Sequence, residues 1–319
     1  MIYSKVKIVI LLTGILFLSG CSFFDCNLSH GVSIVREKAL NKPQEVETKE
    51  VSLLFIGDLM FDRYIREIAE KKGNDFIFEK MANFLKDNDL VVANLEGPIS
   101  DNESVSIRTI PGEKGHLYFS FDRSLAETLA KQNIKLVNVG NNHILNFGEN
   151  GLEQTKKYLT GSGVEYFGDP KSLENNYFIK EIRGIKMGFV SYNQFGGKAE
   201  ETTNNIKSIR GKVDILVIYT HWGKEYEKTP SYKIKNVAHS FVDAGADLII
   251  GSHPHVVQDV EEYKGKKIYY SLGNFIFDQY FSAETMEGLA VKVEINSENK
   301  QLKFQETPLI MEKNGQTRL

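Results

Sequence analysis

The sequence predicts a layered α/β fold with a largely parallel or mixed sheet and an antiparallel edge at its C-terminal end. Three observations predict it. Short, continuous apolar runs recur along the chain, amphipathic segments of helical period separate most of them, and the last two apolar runs alternate with no helix between. Strands apolar throughout need cover on both faces, which layered α/β folds provide.

In chain order, a strand is expected over 51–56, helices over 63–72 and 78–86, a strand over 90–93, a helix over 124–132 and a strand over 135–139. A helix over 152–159 follows, then strands over 187–190 and 215–219, a helix over 234–244, and strands over 248–250 and 268–270. Residues 289–295 and 302–310 form the antiparallel edge.

The beginning of the chain reads as an address. Lys5 and Lys7 precede an apolar run over 8–18, too short to span a membrane comfortably, and Leu18-Ser19-Gly20-Cys21 follows. Small residues before a Cys match the lipobox of bacterial lipoproteins, so residues 1–21 are expected to be a signal peptide ending at a lipidated Cys21. An uncleaved signal anchor is the alternative. Either places the chain at the extracytoplasmic face of the cell membrane. Residues 22–50, polar and containing Pro43, read as a flexible linker, and 51–319 as one domain. Cys26 is the other cysteine and receives no role; after lipidation no intrachain disulfide or thiolate zinc site remains. A net charge of -3 excludes a general polyanion-binding surface, and no nucleic-acid partner is expected, although 39 Lys and Arg leave room for local positive patches.

Residues of metal-ligand type gather just after the strands: Asp58 after the first, Glu96 after the second, Asn141, Asn142 and His143 after the third, His221 after the fifth, and His253 and His255 after the sixth. Singly, an Asp there is a helix cap and a His a loop residue. Jointly, four of the seven histidines and two carboxylates at strand C-terminal ends, where open α/β sheets bind ligands, point to a metal site.

The ordered set Gly57-Asp58, Asn94-Leu95-Glu96-Gly97, Gly140-Asn141-Asn142-His143, Thr220-His221-Trp222-Gly223, Gly251-Ser252-His253-Pro254-His255 and Ser271-Leu272-Gly273-Asn274-Phe275 resembles the CapA/PgsA family of capsule and poly-γ-glutamate synthesis proteins, within the metallo-dependent phosphatase-like superfamily. The resemblance covers nearly all of 51–310 and implies a metallophosphatase-like (calcineurin-like) α/β sandwich. It further implies that Asp58 and His255 hold one ion, that His221 and His253 with an Asn hold another, and that Glu96 bridges. The Asn stays open: distance from Gly140 favours Asn141, adjacency to His143 favours Asn142. Imidazole and carboxylate ligands without thiolate suit one or two Mn, Fe or Zn ions. Two positions depart from the pattern. Met60 stands where the superfamily carries a His, with Asp62 either a substitute ligand or a helix cap, and Asn146 stands where relatives carry an Asp that would orient His143.

By the same resemblance, a bridging water acidified by the ions attacks phosphorus or carbonyl and His143 protonates the leaving group, a metal-dependent hydrolase acting on phosphoester or γ-glutamyl amide bonds. Asn274, Trp222 and Arg108 are candidate substrate contacts: an amide after the last parallel-type strand that bonds substrate or a ligand loop, an aromatic wall or packing residue beside His221, and a cation on the 108–115 loop. His116 and His239 are set outside the site. The implied role is a membrane-anchored protein of capsule or poly-γ-glutamate biosynthesis or export, with an anionic polymer and membrane synthetase or export subunits as partners. The alternative is a non-catalytic accessory subunit that binds or tethers the polymer.

Overall fold

The computed structural model describes residues 50–172 and 176–319; Cys21, the apolar run before it and residues 22–49 lie outside the described residues. Among the described residues no helix is long and apolar enough to cross a membrane. The first strand, β1 (Glu50–Leu59), is fully buried at Val51, Leu53, Leu54, Phe55 and Ile56. Leu54 and Ile56 enter one apolar cluster, while Val51, Leu53 and Phe55 enter another on the opposite face. The chain covers β1 with helices on one side and a second sheet on the other.

Helices α1 (Arg63–Lys72), α2 (Asn74–Phe78) and α3 (Ala82–Lys86) lead into β2 (Leu90–Leu95); a long loop then reaches α4 (Ser124–Lys131), β3 (Ile134–Asn138), α5 (Gly148–Gly161) and β4 (Glu165–Phe167). The hairpin of β5 (Tyr177–Ile182) and β6 (Ile185–Asn193) is followed by α6 (Ala199–Arg210), β7 (Ile215–His221), α7 (Tyr232–Ala244), β8 (Leu248–Ser252), β9 (Val260–Tyr263) and β10 (Lys266–Tyr269). Last come β11 (Asn274–Ile276), a 3-10 turn at Glu284–Met286, β12 (Glu287–Asn296), β13 (Leu302–Met311) and β14 (Thr317–Arg318).

One sheet runs β14-β13-β12-β1-β2-β3-β4, with β11 beside the end of β1; β1 to β4 are parallel, and β12 to β14 form the antiparallel edge. The other runs β5-β6-β7-β8-β10-β9, with β6, β7, β8 and β10 parallel. Phe55, Val92 and Leu136 meet Phe189, Val217 and Ile250 between the sheets. Ile65, Phe78, Leu129 and Leu152 cover the outer face of the first sheet, and Ile206, Ile209, Ala238 and Phe241 that of the second. The result is the layered α/β sandwich the sequence predicts, four layers deep: helices, two sheets and helices.

Strands β4, β5, β9, β11 and β14 and helix α6 are not among the expected elements, and one expected helix is split. The helix expected over 78–86 is split into α2, which starts earlier at Asn74, and α3, with a turn between them; Phe78, Met81 and Leu85 are all buried. Helix α6 shows little apolar period because only Thr202, Ile206 and Ile209 are buried in a segment rich in Thr and Asn, residues of low helix propensity. Close backbone approach fixes the strand ends that carry the candidate ligands. A Cβ on Gly57, just before Asp58, would lie 1.9 Å from the carbonyl oxygen of Gly273, and one on Gly251 would lie 2.0 Å from that of Tyr270.

Candidate metal centre

Strand register sets the site. In the first sheet Asn274, Asp58, Asn94 and Asn138 form one row across β11, β1, β2 and β3; in the second, Asn193, His221 and Ser252 form a row across β6, β7 and β8. Both rows lie at the sheet edge where open α/β folds bind ligands. A buried amide relay runs along the first: Ser191 Oγ donates to Asn138 Oδ1 (2.7 Å), Asn138 Nδ2 to Asn94 Oδ1 (3.1 Å), and Asn94 Nδ2 to Asp58 Oδ1 (2.8 Å). This leaves Asp58 Oδ2 to accept from the backbone N–H of His253 (3.2 Å) and to face His255.

Hydrogen bonds also orient the imidazole rings. Ser252 Oγ donates to Thr220 O (2.8 Å) and lies 3.0 Å from His221 Nδ1, which orients the ring so that its Nε2 lies 2.8 Å from Asn142 Oδ1 and 3.2 Å from His253 Nδ1. Asn274 Nδ2 donates to Thr285 O (3.0 Å) and Gln279 Oε1 (3.1 Å), so its Oδ1 accepts from His255 Nδ1–H (3.0 Å). The bare Nε2 of His255 then faces Glu96 Oε1 at 3.5 Å. His143 donates from Nδ1 to Leu117 O (3.1 Å), which leaves Nε2 3.9 Å from Glu96 Oε1.

Burial, then the neighbouring Asp58, holds the Glu96 carboxyl well above the usual carboxylate range. Burial, followed by neighbouring histidines, pushes His221 well below its ordinary value, His253 down to about 3 and His143 down to about 4. These imidazoles are neutral at pH 7, the state in which they ligate metals. Asp58, Glu96 and His221 offer ligand atoms within 4.8 Å of one another, as do Glu225, His253 and His255. Glu96 Oε1 is buried, and no described residue hydrogen-bonds to it. Such an orphan acceptor costs about 1–3 kcal/mol, which a cation at that point removes. Oxygen and imidazole donors with no thiolate fit a divalent ion.

The structure thus brings Asp58, Glu96, Asn142, His221, His253 and His255 to one pocket, with His143 at its edge. Other expected site residues lie elsewhere. Asn141 is turned inward: its Oδ1 accepts from His143 N (3.1 Å) and Ile144 N (3.0 Å), and its Nδ2 donates to Leu95 O (2.7 Å), so it pins the loop and leaves Asn142 to face His221. Trp222 is no aromatic wall; it is fully buried, stacks on Tyr270 and donates from Nε1 to Tyr270 O (2.8 Å). Asn274 is also fully buried and holds His255, out of a substrate's reach. Replacing it with Leu is expected to release that ring and weaken divalent-ion binding about 10–100-fold, measured by Mn2+ titration. Asp62 is a helix cap, accepting from Arg63 N (2.8 Å), Ser104 Oγ (2.5 Å) and Ser120 N (2.7 Å), and Met60 Sδ accepts from Asp62 N (3.0 Å). Asn146 Nδ2 donates to Leu117 O (2.7 Å), the carbonyl that also orients His143, so the ring needs no carboxylate there.

A cleft of about 820 Å³ opens over His143 and His255, lined also by Arg63, His116, Glu225, Tyr226, Phe119 and Phe277. Arg108 is not among its lining residues; it sits exposed, at a left-handed backbone position (φ 62°). The cation in the cleft is Arg63, buried, ion-paired with Asp278, hydrogen-bonded to His116 Nε2 (3.0 Å) and lying 5.1 Å from the Phe119 ring centre. Arg63 also has a left-handed backbone (φ 50°), a conformation costly for any residue but glycine and concentrated at functional positions. Sequence reasoning missed Arg63, His116 and Glu225: the first reads as the start of a helix, the others as loop residues. His239 makes its contacts elsewhere, paired with Glu261 (2.6 Å) and stacked on Tyr263.

The chain matches a family model described as "Bacterial capsule synthesis protein PGA_cap" over residues 52–279. It is 28% identical over 267 residues to the capsule biosynthesis protein CapA of Bacillus anthracis, a match covering 77% of this chain and 64% of that protein. It is 27% identical over 277 residues to the PGA biosynthesis protein CapA of Bacillus subtilis (strain 168), covering 81% and 71%. The fold is shared with a hypothetical protein of Thermus thermophilus at a TM-score of 0.53 and 16% identity, covering 82% of this chain and 100% of that one. With a family model matched over most of its length and two CapA relatives, the chain belongs to the PGA_cap (CapA/PgsA) family of bacterial capsule synthesis proteins.

Proposed function

We propose that this chain is a membrane-anchored, extracytoplasmic protein of capsule or poly-γ-glutamate assembly or export, whose divalent-metal centre hydrolyses a phosphoester or γ-glutamyl amide bond of an anionic substrate. The observation that carries this reading is the orphan Glu96 Oε1, facing the bare Nε2 of His255 inside a pocket of neutral imidazoles. The names of the Bacillus relatives support the polymer, and Lys5, Lys7 and the lipobox at Cys21 support the location.

Asp58, Glu96 and His255 would hold one ion, and Glu96, Asn142, His221 and His253 the other. Bound there, divalent ions supply Lewis acidity and an acidified water. The amide relay from Ser191 holds Asp58, and Ser252 and Asn274 hold the rings of His221 and His255. His143, locked by Leu117 O, points its bare Nε2 toward the pocket and stacks on Phe119. With its pKa at about 4 it is neutral at pH 7; an arriving anion raises its proton affinity, so that Nε2 takes up a proton from solvent as the anion binds and passes that proton to the leaving group.

The reading of an accessory subunit that binds polymer without turnover is favoured by Met60, whose thioether is a poor ligand for hard divalent ions. Full-length chain loaded with Mn2+ separates the two when assayed on a phosphodiester reporter and on poly-γ-glutamate. Hydrolysis that disappears in His221→Ala and His253→Ala is the expected result; tight polymer binding with no turnover of either substrate establishes the accessory role instead.

A further inference from the structure

We infer that Glu225 is a metal ligand, adding a carboxylate to the ion that His255 holds at the end of the centre where His253 and His255 meet. This assignment rests on the metal-centre reading above. The Glu225 carboxylate has ligand atoms of His253 and His255 within 4.8 Å and lines the same cleft as His255.

The placement is built into the chain. After β7, Trp222 is anchored under Tyr270, and Gly223 turns the backbone at φ 89° while donating to Gln194 Oε1 (2.9 Å). Tyr226, at φ 66°, donates its N–H to Pro254 O (2.8 Å), tying the loop of Glu225 to the middle of His253-Pro254-His255. From the other side Gln279 Nε2 donates to Tyr226 Oη (3.2 Å). Both histidines are themselves held left-handed, His253 at φ 95° and His255 at φ 58°, a conformation that persists in non-glycine residues where the surrounding structure imposes it.

Glu225 shares a side-chain hydrogen bond with Tyr226, whereas the other acids near the cleft are held by a cation or by backbone N–H groups. Asp62 caps α1, Asp278 is paired with Arg63, and Glu113 accepts from Ile110 N (2.9 Å). Met60 is fully buried, with its sulfur turned to Asp62 N.

Mn2+ alone, titrated calorimetrically into metal-free full-length chain, tests the assignment, with bound ions counted by elemental analysis. The wild type is expected to take up two ions. Glu225→Gln should retain one with affinity close to wild type and bind the other at least tenfold more weakly, and Glu225→His, which restores a donor, should recover the second ion. Because Glu225 is exposed, the metal-free variants should melt with the wild type. Two ions bound by Glu225→Gln at unchanged affinity would overturn the assignment while leaving the metal centre standing; a wild type that binds no Mn2+ would overturn both.

Discussion

Replacing Glu96 with Gln is expected to abolish divalent-ion uptake while leaving the metal-free fold almost unchanged. The two halves of that result have one cause. Burial and the nearby Asp58 push the Glu96 carboxyl well above its ordinary pKa, which favours its neutral form in the metal-free protein, and a neutral amide of the same shape changes little. An ion, by contrast, needs the carboxylate, and an amide in the bridging position removes its central negative donor. In the wild type, Mn2+ at about a hundred times its Kd should raise stability by about 2.7 kcal/mol, read as a shift in thermal unfolding; in Glu96→Gln the shift should vanish. The sign of the pH dependence follows. Because the raised pKa means that binding displaces a proton, uptake should tighten as pH rises, and calorimetry in buffers of different ionisation enthalpy should show protons released. Unchanged uptake by Glu96→Gln would remove Glu96 from the centre.

His143→Ala should lower turnover by about 10²–10⁴-fold while the chain still binds its full complement of Mn2+. The ring is held by Leu117 O and stacked on Phe119, and it lies 3.9 Å from Glu96 Oε1, close enough to meet a substrate at the pocket without being needed to hold an ion. Loss of Mn2+ together with activity would make His143 a ligand; retention of both would remove it from the reaction.

Much of this was legible in the order of residues along the chain. Asp58, Glu96, His221, His253 and His255 each follow an apolar run, and parallel strands deliver such residues to one edge whatever the loops do. Which neighbour turns inward was not legible. Asn141 and Asn142 differ only in whether Leu95 O and two loop N–H groups capture the amide, a contact between segments 46 residues apart. Asn274 and Trp222 each admit two readings from sequence, substrate contact or support, and the fold selects the second: Asn274 holds His255 and Trp222 packs under Tyr270. Charge alone picked Arg108; Arg63 reaches the cleft because its guanidinium is gripped by Asp278 and lies against Phe119 and Phe277, partners that only the fold assembles. The division into two stacked sheets was likewise hidden, since a strand buried on both faces reads the same whether a helix or another strand covers it.

The central claim, that these acids and imidazoles share divalent cations, is tested most directly by anomalous diffraction at the manganese absorption edge from crystals of the chain grown with Mn2+. Anomalous peaks are expected in the pocket bounded by Asp58, Glu96, His221, His253 and His255. Peaks only elsewhere on the surface, or none, would contradict it.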